Sequence, residues 1–195
     1  MENQKFVKYC IDNLDLTQPD SFENYFASVP ICAINAIYSI NTKYQAVLNV
    51  IENFCNFYGY ENMNTKKGEI PKLTGQPKVS EVYQKLKKHS FNELSEKVFC
   101  NRQRTSTTNG ILKAEAVMKF LKILKDFKIE TFQDVPKILL DENFELKVKE
   151  IEGQKSGVSL KYFFMLTGSK DQIKPDRMII GFIKDAIGKL YNGKQ

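Results

Sequence analysis

From Ile31 to Ile40 the chain reads ICAINAIYSI, an apolar segment interrupted by Asn35 and Ser39 alone. Pro30 stands immediately before it, where a fixed φ and a missing N–H suit the first turn of a helix. A helix that is apolar on nearly every side is stable when buried, so the segment reads as a core helix through Ile40. Ala33, Ile34, Ile37 and Tyr38 form its core face at helical spacing. A chain of 195 residues with 42% hydrophobic content can bury that helix in one domain or between two small lobes sharing a groove.

Helical periodicity recurs through the rest of the chain. Tyr44, Val47, Leu48, Ile51, Phe54, Cys55 and Tyr58 predict a long amphipathic helix that stops at Gly59. Shorter helices are expected over 4–14, from Pro19-Asp20-Ser21 to about Ser28, over Val79–Lys88, and from the capping-box pair Ser90 and Glu93 to about Cys100. Leu112, Ala116, Phe120, Ile123, Leu124 and Phe127 predict another, then a short one near Thr131–Leu140 limited by Pro136. Phe144, Leu146, Val148 and Ile151 alternate as a strand would, but the composition of Glu142–Glu150 favours helix. Residues 60–78, with Gly68, Pro71, Gly75 and Pro77, read as an extended surface connection. With no hairpin pair of strands elsewhere, the expected fold class is all-α.

Twenty-nine Lys and Arg against 23 Asp and Glu give a net charge of +6, an excess that favours an anionic partner without naming one. Cys10, Cys32, Cys55 and Cys100 are far apart and lack metal-ligand spacing, which points to buried thiols in a reducing, cytoplasmic setting. The polar N-terminus is unlike a signal peptide, and no apolar run reaches the roughly 18 residues of a membrane span. His89 is the one histidine, so no metal site and no catalytic role is assigned to it. Asn101–Gly110 carries Arg102, Arg104 and a row of hydroxyls, a composition shared by phosphate-binding loops and plain surface loops.

The stretch Glu150–Ile183 is shaped like a site. Gly153-Gln154-Lys155-Ser156-Gly157 permits a sharp turn, Ser156 is placed to cap the helix that follows, and a helix N-terminus offers free amides to an anion. Lys174-Pro175-Asp176 then sets a carboxylate at the mouth of the next helix. Asp176 in that position is either a reactive carboxylate or an N-cap.

These segments together resemble the helix-hairpin-helix DNA glycosylase superfamily, which includes endonuclease III and the alkyladenine glycosylases. Its hairpin, Leu-Pro-Gly-x-Gly-x-x-Thr-Ala, is similar to Ile151-Glu152-Gly153-Gln154-Lys155-Ser156-Gly157-Val158-Ser159, and Asp176 falls where the family's catalytic aspartate belongs. Ala36–Asn41 and the helix after it look like the family's early helix-turn-helix, with Asn41 where a glutamine enters the DNA stack. Gly110-Ile111-Leu112-Lys113-Ala114-Glu115-Ala116 resembles its Gly-Leu-x-x-x-Lys-Ala segment. Two hairpin positions depart from the pattern, Glu152 for proline and Lys155 for glycine, and Gly157 replaces the lysine of bifunctional members.

The resemblance implies a two-lobed all-α fold over 1–195, with 30–140 and 141–183 forming the helical lobes around a groove and 1–29 and 184–195 packing on as terminal helices. It implies a monomer that binds double-stranded DNA through Gly153, Gln154, Lys155, Ser156, Gly157, Asn41, Arg102 and Arg104, away from any membrane. Base excision by hydrolysis would fall to Asp176, with no lyase step, no iron-sulfur cluster, no metal and no cofactor beyond a monovalent cation held by hairpin carbonyls. Tyr38, Phe99, Tyr162 and Phe163 are either lining for a flipped base or core. Two other readings stay open: a catalytically silent DNA-binding module, and an interaction protein that binds no nucleic acid.

Overall fold

The computed structural model describes residues 2–14, 25–61, 64–65, 70–169 and 177–191. In chain order its elements are α1 (Glu2–Asn13), β1 (Tyr25–Phe26), α2 (Val29–Tyr38), α3 (Tyr44–Tyr58), β2 (Asn64–Thr65), α4 (Val79–Leu86), α5 (Phe91–Glu93) running into a π-turn over Leu94–Val98, α6 (Lys113–Asp126), a 3-10 helix over Phe132–Ile138, α7 (Glu142–Lys149), α8 (Val158–Leu166) and α9 (Arg177–Tyr191). Among the described residues the fold is all-α, apart from one pair of two-residue strands. Two compact units divide the chain: Glu23–Lys174, and Met1–Phe22 with Pro175–Gln195.

In the larger unit α2 is the central element. Every residue from Val29 to Tyr38 is buried, and the helix packs against α3, α6 and α8. The expected boundaries follow from local chemistry: Pro30 occupies the first turn, and an extended Ser28 precedes it. The amphipathic α3 lays Val47, Val50, Ile51 and Phe54 against the core and stops at Gly59, whose φ of 67° a side chain would disfavour. One core cluster runs from Phe26 to Leu166, so residues on both sides of position 140 share it. Tyr38, Phe99, Tyr162 and Phe163 all belong to this core, which gives them a packing role.

The Phe144–Ile151 ambiguity is resolved by burial. Phe144, Val148 and Ile151 are buried at helical intervals while Leu146 is 60% exposed, the opposite of what alternation requires. At α5 the predicted capping box forms: the Glu93 N–H donates to Ser90 Oγ at 3.2 Å, and the Ser90 N–H donates to Glu93 Oε2 at 3.0 Å. The Ser90 N–H, with Lys97 beside it, holds the Glu93 carboxyl down at about 2.

Two expectations need correction. Of the helix expected from Pro19 to about Ser28, residues 15–24 lie outside the described residues, and Tyr25 and Phe26 instead form β1, antiparallel to β2. Aromatic neighbours suit a pleated pair, and local propensity gave way to that pairing. The 60–78 connection is more than surface loop near its end, because Gln76 is buried. Its side chain donates to the Pro71 carbonyl at 2.9 Å and accepts the Phe132 N–H at 3.1 Å, which pins the segment to the 3-10 helix.

The smaller unit pairs α1 with α9, with the rings of Tyr9 and Phe182 5.4 Å apart.

Adjacent positions on α2 should respond in opposite directions. Ile34→Ala opens a cavity at a fully buried site and should cost about 3 kcal/mol. Asn35 is equally buried, yet neither atom of its carboxamide has a hydrogen-bond partner among the described residues. Asn35→Leu should therefore raise stability by about 1 kcal/mol; urea denaturation of both variants measures the contrast.

Candidate functional site

Three segments distant in sequence meet in the larger unit. The first is the turn after α2, where Ser39 closes the helix and Asn41 takes a φ of 54°, a left-handed conformation that asparagine tolerates better than most residues. Asn41 is exposed between Ile40 and Thr42. The second is the loop 101–112, which leaves the π-turn through Cys100 at a φ of 46°. It folds back on itself: the Thr105 N–H donates to the Ile111 carbonyl at 2.9 Å, and Arg104 pairs with Leu112. A Cβ on Gly110 would overlap the Ser106 backbone, so this return needs glycine.

Lys113 joins these two segments. Although it opens α6, its side chain is turned inward and is only 3% exposed. Nζ has four acceptors around its three N–H bonds: the carbonyls of Tyr38 at 3.0 Å and Ile40 at 2.7 Å, Thr42 Oγ1 at 2.8 Å and Gln103 Oε1 at 3.1 Å. Thr42 Oγ1 and Gln103 Oε1 are themselves 2.9 Å apart, and the Lys113 N–H donates to the Gln103 carbonyl at 2.8 Å. The ammonium thus sits at the negative end of α2, where backbone carbonyls lack helical partners.

The third segment is the hairpin between α7 and α8. Ile151 is buried, and Gly153 turns the chain at a φ of 84°. A Cβ on Gly153 would come within 2.5 Å of the Thr105 side chain, so the hairpin lies directly on the second segment. The amides of Gln154 and Gly157 are used within the turn, donating to the Ile151 and Gln154 carbonyls, each at 2.9 Å. Gln154 is 2% exposed and accepts the Ser159 hydroxyl, so its side chain faces the core. Gly157, at a φ of 70°, takes the N-cap position of α8; the Ser156 hydroxyl lies 3.5 Å from the Val158 N–H, which corrects the expected serine cap. Lys155 and Ser156 are exposed at the tip.

Glu152, at the position where the family pattern has proline, reaches Lys119 on α6 at 2.7 Å. The Lys119 ammonium holds its carboxyl below the usual carboxylate range. Arg102 is exposed and pairs with Glu96 at 2.7 Å, while the Arg104 guanidinium donates to the Gly110 carbonyl at 2.7 Å and braces its own loop. Asp176 lies outside the described residues, as does the Lys174-Pro175 step before it. A groove of about 520 Å³ between α4, α5 and α6 is lined by Tyr83, Phe91, Met118 and lysines, but Lys119 and Lys122 there are bound by Glu115, Glu152 and Asp126. The His89 ring at its edge packs against Phe57, with centroids 5.7 Å apart.

Lys113, Gln103, Thr42 and Thr105 hold the three segments together, and sequence reasoning gave them no role. A signal existed for Lys113: it lies on the stripe of Ala116, Val117, Phe120 and Leu124, all buried, where a lysine is out of place without a partner.

Gly153→Ala should cost about 2 kcal/mol through its positive φ and the Thr105 overlap. Gly168→Ala shares the positive φ but has open space around it, so it should cost less in the same urea titration.

No curated protein and no solved structure matches the chain. The model of a domain of unknown function, DUF8548, matches residues 4–192, and the chain belongs to that family.

Proposed function

We propose that the protein binds duplex DNA and removes a damaged or mispaired base by hydrolysing its N-glycosidic bond. The observation that supports this reading is the meeting of three segments: the Asn41 turn and the 151–157 hairpin, which resemble two motifs of one DNA-acting superfamily, and the loop that leads into Gly110–Ala116, which resembles a third. Lys113 and the Gly153–Thr105 approach connect all three.

In this reading the exposed tip of the hairpin approaches the phosphate backbone, with the Lys155 and Ser156 N–H groups and the Lys155 ammonium as donors. Asn41 enters the stack beside the target, and the nucleotide leaves the duplex for the enzyme. Breaking the bond sends its electron pair to the departing base and leaves positive charge on the sugar. Asp176 stabilises that charge and orients the water whose oxygen bonds the anomeric carbon, and the proton that water loses ends on the departing base. Position 157, a glycine, supplies no side-chain amine of its own for a lyase step.

A catalytically silent DNA-binding module is the second reading. It is favoured by Glu152, which adds a carboxylate to the hairpin, and by Gln154, whose side chain is turned into the core.

Binding to an undamaged duplex should weaken linearly in a plot of log affinity against log salt, and Lys155→Ala should reduce that slope by about 1. Affinity that ignores salt would remove both readings. Incubation with a panel of damaged-base duplexes followed by alkali separates them: strand breaks abolished by Asp176→Asn support the enzyme, and intact strands with every lesion support the silent module.

A further inference from the structure

We propose that Lys113 is the positioning residue that presents Asn41 and Arg102 to DNA as a coupled pair, an inference that rests on the DNA-binding reading above. Asn41 has Ile40 and Thr42 as chain neighbours, and the Lys113 ammonium is bonded to both, at 2.7 and 2.8 Å. Arg102 is followed by Gln103, which the same ammonium holds by its side chain at 3.1 Å. Gln103 is held a second time by its own carbonyl, which accepts the Lys113 N–H at 2.8 Å. One nitrogen therefore holds the Ile40 carbonyl and the Thr42 hydroxyl on either side of the exposed asparagine and the Gln103 side chain next to the exposed arginine, across 61 residues of sequence between Thr42 and Gln103.

The geometry goes beyond helix capping. Of the four oxygens around the ammonium only the Tyr38 carbonyl belongs to α2, and the Ile40 carbonyl belongs to the turn that follows it. The Thr42 hydroxyl and the Gln103 carboxamide lie outside that helix, and their 2.9 Å contact closes a ring through the ammonium. Asn41 keeps a φ of 54° within that ring, a conformation an unrestrained turn would populate only in part. The ring thus reduces the freedom the turn must lose when Asn41 enters a base stack.

The test uses the full chain and a duplex with 2-aminopurine beside the expected insertion point. Wild type should bind with salt-dependent affinity and raise the fluorescence by unstacking the probe. Asn41→Ala and Lys113→Met should each cut that rise by about half or more, and the double variant should fall no further than the lower single, because both remove one presentation of one residue. Arg102→Ala should lose less affinity in the Lys113→Met background than in wild type. Hydrogen exchange supplies a readout that needs no DNA: the Ser39 and Thr105 amides should exchange about tenfold faster in Lys113→Met, with the α8 amides unchanged. If Lys113→Met does not fold, Thr42→Val breaks the ring while leaving the ammonium on its two carbonyls, and the same readouts should move in the same direction. A folded variant with wild-type fluorescence and unchanged exchange overturns the inference and leaves the DNA-binding reading standing. Wild type that binds no duplex overturns both.

Discussion

A desolvated ammonium against the end of a desolvated helix is the constraint on which this structure depends. The α2 helix is buried over its whole length, so its last carbonyls cannot turn to water as those of a surface helix do. Lys113 is equally unable to reach solvent, and an ammonium taken out of water costs several kcal/mol unless oxygen atoms surround it. Each solves the other's problem. Two carbonyls, a hydroxyl and a carboxamide around Nζ replace the water the lysine loses, and the positive charge lies at the negative end of the helix dipole. Removing either partner would leave the other buried and unsatisfied, which is worse than never having had the pair.

From that contact the rest of the site is held by approach instead of charge. The 101–112 loop is fixed at its base by Gln103 and braced across by Arg104, so Thr105 has a defined position. Gly153 then rests on Thr105 without a side chain between them. The hairpin is therefore located by an absence of atoms at one residue and by the Glu152–Lys119 ion pair at the next. Among these, the glycine contact is the stiffer device, since an exposed ion pair contributes about 0–1 kcal/mol.

Much of the helical skeleton was legible in the sequence because its determinants are local. Pro30, Gly59 and the Ser90–Glu93 pair each act within a turn of where they stand, and the spacing in Tyr44–Tyr58 repeats often enough to fix its face. What escaped depends on partners far along the chain. Ser80 at the start of α4 donates its N–H to Glu130 Oε2 at 2.9 Å, and Gln76 closes on Phe132, neither of which has any local signature. Tyr25 and Phe26 took strand geometry because residues near position 64 offered a ladder. The Gly110–Ala116 segment is legible as a pattern, yet the role of Lys113 within it follows only once the α2 terminus is brought beside it.

The distribution of cations narrows how such a surface can meet a polyanion. Arg102 pairs with Glu96, and both side chains are largely in water, so a phosphate oxygen can replace the carboxylate at little cost. Lys119 is different: it is held by Glu115 at 3.1 Å as well as by Glu152 at 2.7 Å, and freeing it breaks two contacts. On the hairpin, Glu152 is a carboxylate that would repel a phosphate backbone, and the Gln154 carboxamide is turned inward, so neither could attract one. Under the DNA-binding reading that role falls to the tip, where Lys155 and Ser156 are exposed. A lysine in place of the pattern's second glycine then compensates for the carboxylate in place of its proline: the two departures oppose each other in charge, three residues apart in the same hairpin.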